Sequence, residues 1–528
     1  MKRDDLLAPG NYNIVDEIEK FAKTSSKIAL LIHQGNGQVE KVSYEKLIKK
    51  ANQVANVFKN NGLNKGDVIL IMVPRSEEAY ITYVGALKAG LTIIPSSEML
   101  RAKDIDYRIK HSDAKAIVAF ENEIKQFEDA EHLDDIKRFV YGGTVESWIS
   151  MESNLVKQPE TFEGVQTKAS DIAFLSYTSG TTGNPKGVIH SHGWGYAHLR
   201  TTAAHWLGVQ EDDLVWATAA PGWQKWIWSP FLATLGSGAT AFIHLGRFEP
   251  QEYLKMLQDY QINVLCCTPT EYRLMAKVDK LEQYDLSSLK SAVSAGEPLN
   301  SEVIRKFLSV FSLQVRDGYG QTESTLLVGT LLGMQPKPGS MGKPTPGNLV
   351  EIINEQGEIT KTGEVGDIAV HSSTPALFKG YLKDEERTQK QYRGEWFLTG
   401  DRAYKDEEGY FWFEGRGDDI IISSGYTIGP FEVEDALVKH PAVKECAVVA
   451  SPDEIRGHIV KAFVVLRDPE QINSPTLVKE LQNHVKEITA PYKYPRAIEF
   501  IEELPKTSSG KIRRVELRQQ EFNKELTK

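Results

Sequence analysis

YTSGTTGNPKG, at residues 177–187, is the stretch around which the chain is organised. It holds three glycines, four hydroxyl side chains besides Tyr177, a proline and one lysine. Glycine raises the entropic cost of ordering the backbone and Pro185 lacks an N–H, so the stretch suits neither a helix interior nor a central strand. A loop is expected. IAFLS (172–176) before it reads as a short strand and Val188-Ile189 resumes the apolar pattern after it, so the loop is held at both ends. Glycines let backbone N–H groups approach an anion, hydroxyls add donors and Lys186 adds a positive charge, which together describe a phosphate cradle. The alternative is a surface turn. A Walker A loop is excluded, because Gly187 follows Lys186 where Ser or Thr would hold magnesium.

Outward from this loop, the chain alternates helical and strand-like pieces. Leu47, Ile48, Ala51, Val54, Ala55 and Phe58 share one helical face, with Ser43 as N-cap and Gly62 as stop. VILIMV (68–73) is a continuous apolar run suited to a strand buried on both faces. A capped helix at 76–90 and strands at 91–94 and 116–120 follow. This alternation predicts βαβ units and a mostly parallel sheet. Residues 121–170 are acidic and weakly periodic, and read as peripheral. Short apolar runs at 264–267 and 291–294 predict a second α/β layer. From about 330 to 417 turn-rich sequence and short strand-like pieces predict a small β-rich subdomain. Beyond 417 mixed α and β returns. The expected architecture is therefore α/β: a large N-terminal domain (1–417) of α/β sheet subdomains plus the β-rich one, then a small mobile α+β C-terminal domain (418–528).

At 528 residues, with a formal charge of −10 and no basic block, the composition argues against nucleic acid or an anionic membrane surface as main partner. No apolar run reaches the length of a membrane span, and MKRDDLLAPG lacks the apolar core of a signal peptide. Three cysteines, two of them adjacent, form neither a disulfide framework nor a CxxC pair. A cytoplasmic setting is expected, without nucleic acid or membrane insertion, and with self-association left open.

Four further clusters carry chemistry. DGYGQTE (317–323) ends in a hydroxyl and a carboxylate suited to a phosphate oxygen and a magnesium ion; taken alone it is a polar turn. WFLTGD (396–401) places Asp401 at the end of an apolar run, where it could accept the ribose hydroxyls of a nucleotide, although strands often end in Gly-Asp. GRGDDIIISSGYTIGPFEVE (415–434) combines Arg416, paired acids and glycines in the manner of an interdomain joint. LPKTSSGKIRR (504–514) is either a solvated charge run or a way of bringing a lysine to a reacting phosphoryl group.

Together, in this order and spacing, these motifs resemble the AMP-forming acyl-CoA synthetases of the adenylate-forming superfamily, over nearly the whole chain. APYKYPRAIEF (490–500) and SSGYTIGP (423–430) are most similar to the medium-chain and branched-chain enzymes. The resemblance implies that Thr178, Ser179, Gly180, Thr181, Thr182 and Lys186 wrap the ATP phosphates. It implies Glu323 as magnesium ligand and Thr322 as α-phosphate contact, with Asp401 and Arg416 at the ribose. Gly296, Glu297 and Pro298, with Asp317, Gly318 and Tyr319, would line the adenine, and Gly320 and Gln321 complete the nucleotide set. Asp418 matches the hinge, Gly425 the pantetheine passage and Lys511 the catalytic lysine, with Thr178 and Glu323 beside it in catalysis. Mg2+ is implied as cofactor, with ATP and CoA as co-substrates. The implied reaction makes an acyl-adenylate from a carboxylic acid and ATP, then an acyl-CoA.

Six of the nine tryptophans lie between 194 and 228, in the position of the family's acyl pocket. Trp223, Lys225, Trp226 and Trp228 are the candidate wall, joined by Cys267; an aromatic core is the alternative for each ring. Acetyl-CoA synthetases carry a tryptophan where this chain has Gly320, so a longer or branched acid is expected. Many relatives carry an arginine where Thr427 stands here, which leaves a catalytically impaired nucleotide-binding module as one alternative. A ligase loading a separate carrier protein is another. His190, His192 and His198 suggest zinc, but their spacing lacks a further ligand type, and a loop beside the phosphate site explains them equally well.

Overall fold

A computed structural model describes residues 1–24, 26–35, 37–133, 135–178, 184–296, 299, 301–417, 419–423, 426–453, 457–471, 474–506 and 511–526. At 301, 426, 427, 457, 471, 475, 525 and 526 it describes the backbone alone.

The amphipathic run after residue 43 forms the helix Tyr44–Asn60, which starts where Ser43 Oγ accepts from Lys46 N at 3.1 Å. Helix Glu77–Lys88 starts in the same way, with Ser76 Oγ accepting from Ala79 N. Such caps satisfy one of the N–H groups left open at a helix start. The two helices approach closely because Gly85 has no side chain: a Cβ there would lie 2.7 Å from Val54 Cβ. VILIM forms the strand Val68–Met72 in the middle of a seven-stranded sheet. Its other strands include Thr92–Pro95, Ala116–Phe120 and Lys137–Tyr141, all parallel. The sheet ends in the antiparallel pair Ile172–Thr178 and Lys186–Ser191.

A nine-stranded sheet packs beside it. Ile28–His33, Thr240–His244, Leu214–Ala217, Val264–Cys266, Ser291–Ala295 and Val315–Gly320 form its parallel centre. The main core joins the two sheets through Phe58, Tyr83, Trp194, Trp206, Trp226 and Phe231. An antiparallel sheet of Val350–Ile353, Gly366–His371, Tyr392–Arg393, Trp396–Lys405 and Phe411–Arg416 makes a third, β-rich unit. Beyond it, Val443–Asp453, Gly457–Leu466 and Ala497–Phe500 form a smaller sheet covered by Pro430–Val438 and Pro475–Ile488, with a core of their own. The fold is thus α/β, with a large N-terminal part of several sheets and a smaller α+β C-terminal part. Among the described residues, no helix is long and apolar enough to cross a membrane.

Two local expectations change. The glycine stretch is narrower than a free loop from 177 to 187: Tyr177 pairs with Gly187 and Thr178 with Lys186, so both ends are hairpin strands. Tyr177 and Thr178 suit a strand, and backbone pairing with them outweighs the poor strand propensity of Gly187 and Lys186. Asp401 does not end its strand, which runs from Trp396 to Lys405. Gly400, at φ +79°, adopts a conformation that a side chain would oppose, and the pairing register shifts just after it, between Arg402 and Ala403. The bend lets the strand pass the site while Asp401 stays buried.

Candidate active site

Three sheets meet at one seam, and a shared apolar core fixes it. Val188 comes from the hairpin strand, Leu327 and Val328 from the nine-stranded sheet, and Ile352, Ile368, Phe397 and Phe411 from the β-rich unit. The main chain crosses the same seam. Val188 bridges Tyr381, Leu382 N donates to Gly187 O, and Phe378 N donates to Glu323 O, both bonds at 2.8 Å.

At one end of the seam lies a cation and carboxylate pair joined by a phenol. Tyr381 Oη donates to Glu323 Oε1 at 2.8 Å, and Lys186 Nζ stands 3.5 Å from the same hydroxyl and 4.8 Å from the ring centroid. Burial pulls the Lys186 ammonium below its ordinary value, and the Glu323 carboxylate opposes that shift. The backbone of this segment is held from beneath: His190 Nε2 donates to Thr322 O at 2.6 Å and Trp194 Nε1 to Ser324 O at 3.1 Å. Glu323 offers a hard oxygen donor of the kind magnesium takes, beside a lysine suited to phosphate, so the residues fit the implied ion.

At the other end Asp401 is the hub. Tyr319 Oη and Gln321 Nε2 both donate to its Oδ2, at 2.5 and 2.8 Å, and Gln321 Nε2 also reaches Thr399 O. Arg416, opposite in the ladder, places Nε 3.6 Å from Oδ1. Burial pushes the Asp401 carboxyl up while Arg416 draws it back. Asp317 begins the motif: it accepts from Leu299 N and Gly318 N, and burial pushes its carboxyl up to about 7.

The tryptophan-rich segment divides. Lys225 Nζ donates to Ala295 O at 2.6 Å, at the end of the strand that leads into Gly296. Trp223 is half-buried. Trp228 is buried against Gly320, whose Cβ would lie 2.9 Å from its Cη2 and 2.4 Å from Thr325 O. The room left by the glycine is therefore filled by an indole. Trp226 instead stacks on Phe231 and meets Tyr80 and Tyr83 at steep angles in the main core. Cys267 lies with Trp216 and Tyr272 in a separate apolar cluster.

The three histidines serve the protein itself. His190 is bonded as above, His192 Nδ1 accepts from Ile14 N, and His198 bonds Thr325 Oγ1 and Trp228 O. Burial holds all three down at about 4, so they are neutral. Among the described residues, no group of three or more His, Cys, Asp or Glu could hold a metal ion.

Ser179, Gly180, Thr181, Thr182, Glu297, Pro298, Asp418 and Gly425 lie outside the described residues, as does the Thr427 side chain. Gly296 is exposed with φ +109°, and Lys511 is exposed just before the bridge of Ile512 to Lys506. Sequence reasoning missed Tyr381, Trp206 and Gln224. Trp206 Nε1 donates to Asp317 O, and its ring lies 2.6 Å from where a Gly318 Cβ would be. Gln224 Oε1 accepts from Ser176 Oγ, beside the hairpin. Only Trp206 had a signal: two glycines spaced two apart in a strand, each leaving room for a large ring.

A family model described as the AMP-binding enzyme matches residues 18–382, and one described as its C-terminal domain matches 432–511. The chain belongs to the AMP-binding enzyme family. It is 62% identical over 521 residues to an uncharacterized acyl–CoA ligase, YtcI, of Bacillus subtilis, covering 99% of this chain and 98% of that one. To the mitochondrial acyl-coenzyme A synthetase ACSM3 of Rattus norvegicus it is 41% identical, over 96% of this chain and 88% of the relative. Its structure is similar to that of the anthranilate CoA ligase AuaEII in complex with anthranoyl-AMP. There the TM-score is 0.90 and the identity 30%, over 100% of both chains.

Proposed function

We propose that this member of the family is an AMP-forming acyl-CoA synthetase acting on a short-to-medium-chain saturated fatty acid, straight or branched. The observation that carries the reading is the seam, where Lys186 and Glu323 stand at one end and Asp401 at the other, suited to the phosphates and the ribose of one nucleotide. Lys186 binds the phosphates, with Thr178 and the residues at 179–182 around them. Asp401 takes the ribose hydroxyls, and Asp317 to Tyr319 with the turn at 296–298 line the base. Mg2+ held by Glu323 would neutralise charge so that two anions can approach.

A carboxylate oxygen of the acid attacks the α-phosphorus. The bond to the bridging oxygen breaks and pyrophosphate leaves with its electron pair. Lys511 bridges the carboxylate and the phosphate as they meet. The mixed anhydride is reactive, so water must be excluded. The C-terminal domain, from 418, then turns about Asp418 and withdraws Lys511. The CoA thiol, passing Gly425, gives up its proton, attacks the acyl carbon and releases AMP. Trp223, Lys225 and Trp228 bound the acyl end, and the indole against Gly320 limits chain length. A cytoplasmic setting goes with the free ATP and CoA that this chemistry consumes.

The test is incubation with ATP, Mg2+ and a panel of carboxylic acids, with and without CoA, measuring pyrophosphate and thioester. Pyrophosphate with short-to-medium acids and thioester only with CoA are expected. Turnover restricted to acetate would refute the acyl class, and absence of pyrophosphate with every acid would refute the reaction.

A further inference from the structure

We propose that the helix Ala102–Ser112 sets the phosphate hairpin by gripping both of its stems, which makes Tyr107 and His111 positioning residues for ATP. The inference rests on the reading of that hairpin as the phosphate cradle. Tyr107 Oη donates to Pro185 O at 3.0 Å, on the outgoing stem. One helical turn later, His111 Nδ1 and Tyr177 Oη are 2.9 Å apart, on the incoming stem. Burial pushes the Tyr177 phenol up and pulls the His111 imidazole down, so two neutral groups share this hydrogen bond.

The grip has a rigid base. Residues four apart on a helix lie on one face, and the rings of Tyr107 and His111 stack there at 5.2 Å with planes 10° apart. Tyr177 meets both edge-on, and the Arg108 guanidinium carbon lies 5.2 Å from its ring centroid. Behind them Ile105 and Ile109 are buried with Leu175, two residues before Tyr177 in the same strand. The helix is thus packed onto one stem and bonded to both.

This arrangement addresses a weakness of the hairpin. Lys186–Ser191 is the last strand of its sheet, and among the described residues beyond it the short segment Lys379–Leu382 bonds to it. Among the described residues, the pairing of the two stems runs as far as Thr178 and Lys186. Tyr107 acts one residue beyond that pair, on the carbonyl of Pro185. Holding a binding loop in its bound shape lowers the entropy lost on binding, so the grip appears as affinity for the group that the loop contacts.

The test uses Tyr107→Phe, which keeps the ring stack and removes the hydroxyl, and His111→Phe, which keeps the stack and removes the bonding nitrogen. His111→Gln, whose amide offers both a donor and an acceptor, is the rescue. One neutral hydrogen bond is worth about 1 kcal/mol, so each Phe variant should raise KM for ATP about three- to tenfold, measured by pyrophosphate release. His111→Gln should recover part of the loss. Thioester formation from a supplied acyl-adenylate, which has no β- or γ-phosphate, should be unchanged, as should the KM for the acid. A KM for ATP within twofold of wild type in both Phe variants would overturn the inference, as would equal losses in both half-reactions. Wild-type protein that releases no pyrophosphate with any acid would instead remove the reading beneath it.

Discussion

Tyr381→Phe tests the phosphate end of the seam with a single atom. The hydroxyl it removes donates to Glu323 Oε1 and stands 3.5 Å from Lys186 Nζ. The rest of the local structure stays supported. The ring packs on Phe378 with centroids 5.0 Å apart, Lys186 keeps its place over the ring, and Phe378 N still holds Glu323 O. What is lost is one hydrogen bond to a charged, buried carboxylate, worth about 1.5–3 kcal/mol. At about 1.4 kcal/mol per factor of ten, the Mg2+ and ATP concentrations for half-maximal pyrophosphate release should rise about tenfold or more. Melting temperature should fall by only about 1 °C for each kcal/mol lost, because the unfolding entropy of so large a unit is high. The assay is pyrophosphate release as a function of Mg2+ at fixed ATP, with thioester formation from supplied acyl-adenylate as control. A lower magnesium requirement in the variant would refute the reasoning, because it would mean that the phenol competes with the ion for Glu323.

Lys511→Ala should slow adenylate formation by roughly two to three orders of magnitude, in line with the loss of one preorganised donor, and spare thioester formation from acyl-adenylate; equal loss in both steps would sink its role. Asp317, with a carboxyl at about 7 against an ordinary 3.8, keeps in the native state a proton that the unfolded chain has lost between those values. Its contribution is therefore full below pH 4 and is lost towards pH 7, at up to about 1.4 kcal/mol per pH unit. Asp317→Asn should flatten the decline in melting temperature from pH 5 to 8, and a wild-type-minus-variant difference that does not move with pH would contradict it. Gly320→Ala places a methyl 2.4 Å from Thr325 O and 2.9 Å from Trp228 Cη2, so it should destabilise by about 1–3 kcal/mol. Adding Trp228→Phe removes the second clash and should recover part of the melting temperature; additive losses would show that the indole does not occupy that space. Thr427→Arg should leave the turnover rate close to wild type if another cation serves the phosphate, whereas a large gain would mark this chain as impaired.

Much of this was legible in the residues, for identifiable reasons. Ser43 and Ser76 announced helix starts because capping is local chemistry, and VILIM announced a strand buried on both faces because a continuous apolar run has few other uses. Tyr381 was not legible. It lies between Gly380 and Leu382 in a turn-rich segment without periodicity, and it reaches Glu323 only because the pairing of Val188 with Tyr381 joins residues far apart in the chain. Gly320 shows the other limit. A sequence says which position lacks a side chain but not which neighbour takes the space, and here Trp228 takes it.

Asp401 joins these two lessons. Its motif marked it as a ribose ligand, yet the carboxylate is already engaged on one side. Oδ2 accepts from Tyr319 and Gln321, whereas Oδ1 faces the Arg416 guanidinium at 3.6 Å, on a side chain that is 58% exposed. The guanidinium makes no hydrogen bond at that separation, so Oδ1 can accept from a ribose hydroxyl while the bonds to Oδ2 keep the carboxylate aimed. The raised proton affinity that burial gives Asp401 would disfavour the ion if it were alone. Arg416, Tyr319 and Gln321 each oppose that shift and favour the ionised, accepting form. The strand that carries Asp401 could not end there: Arg416 reaches it only because the ladder continues through Gly400 and pairs the two residues directly.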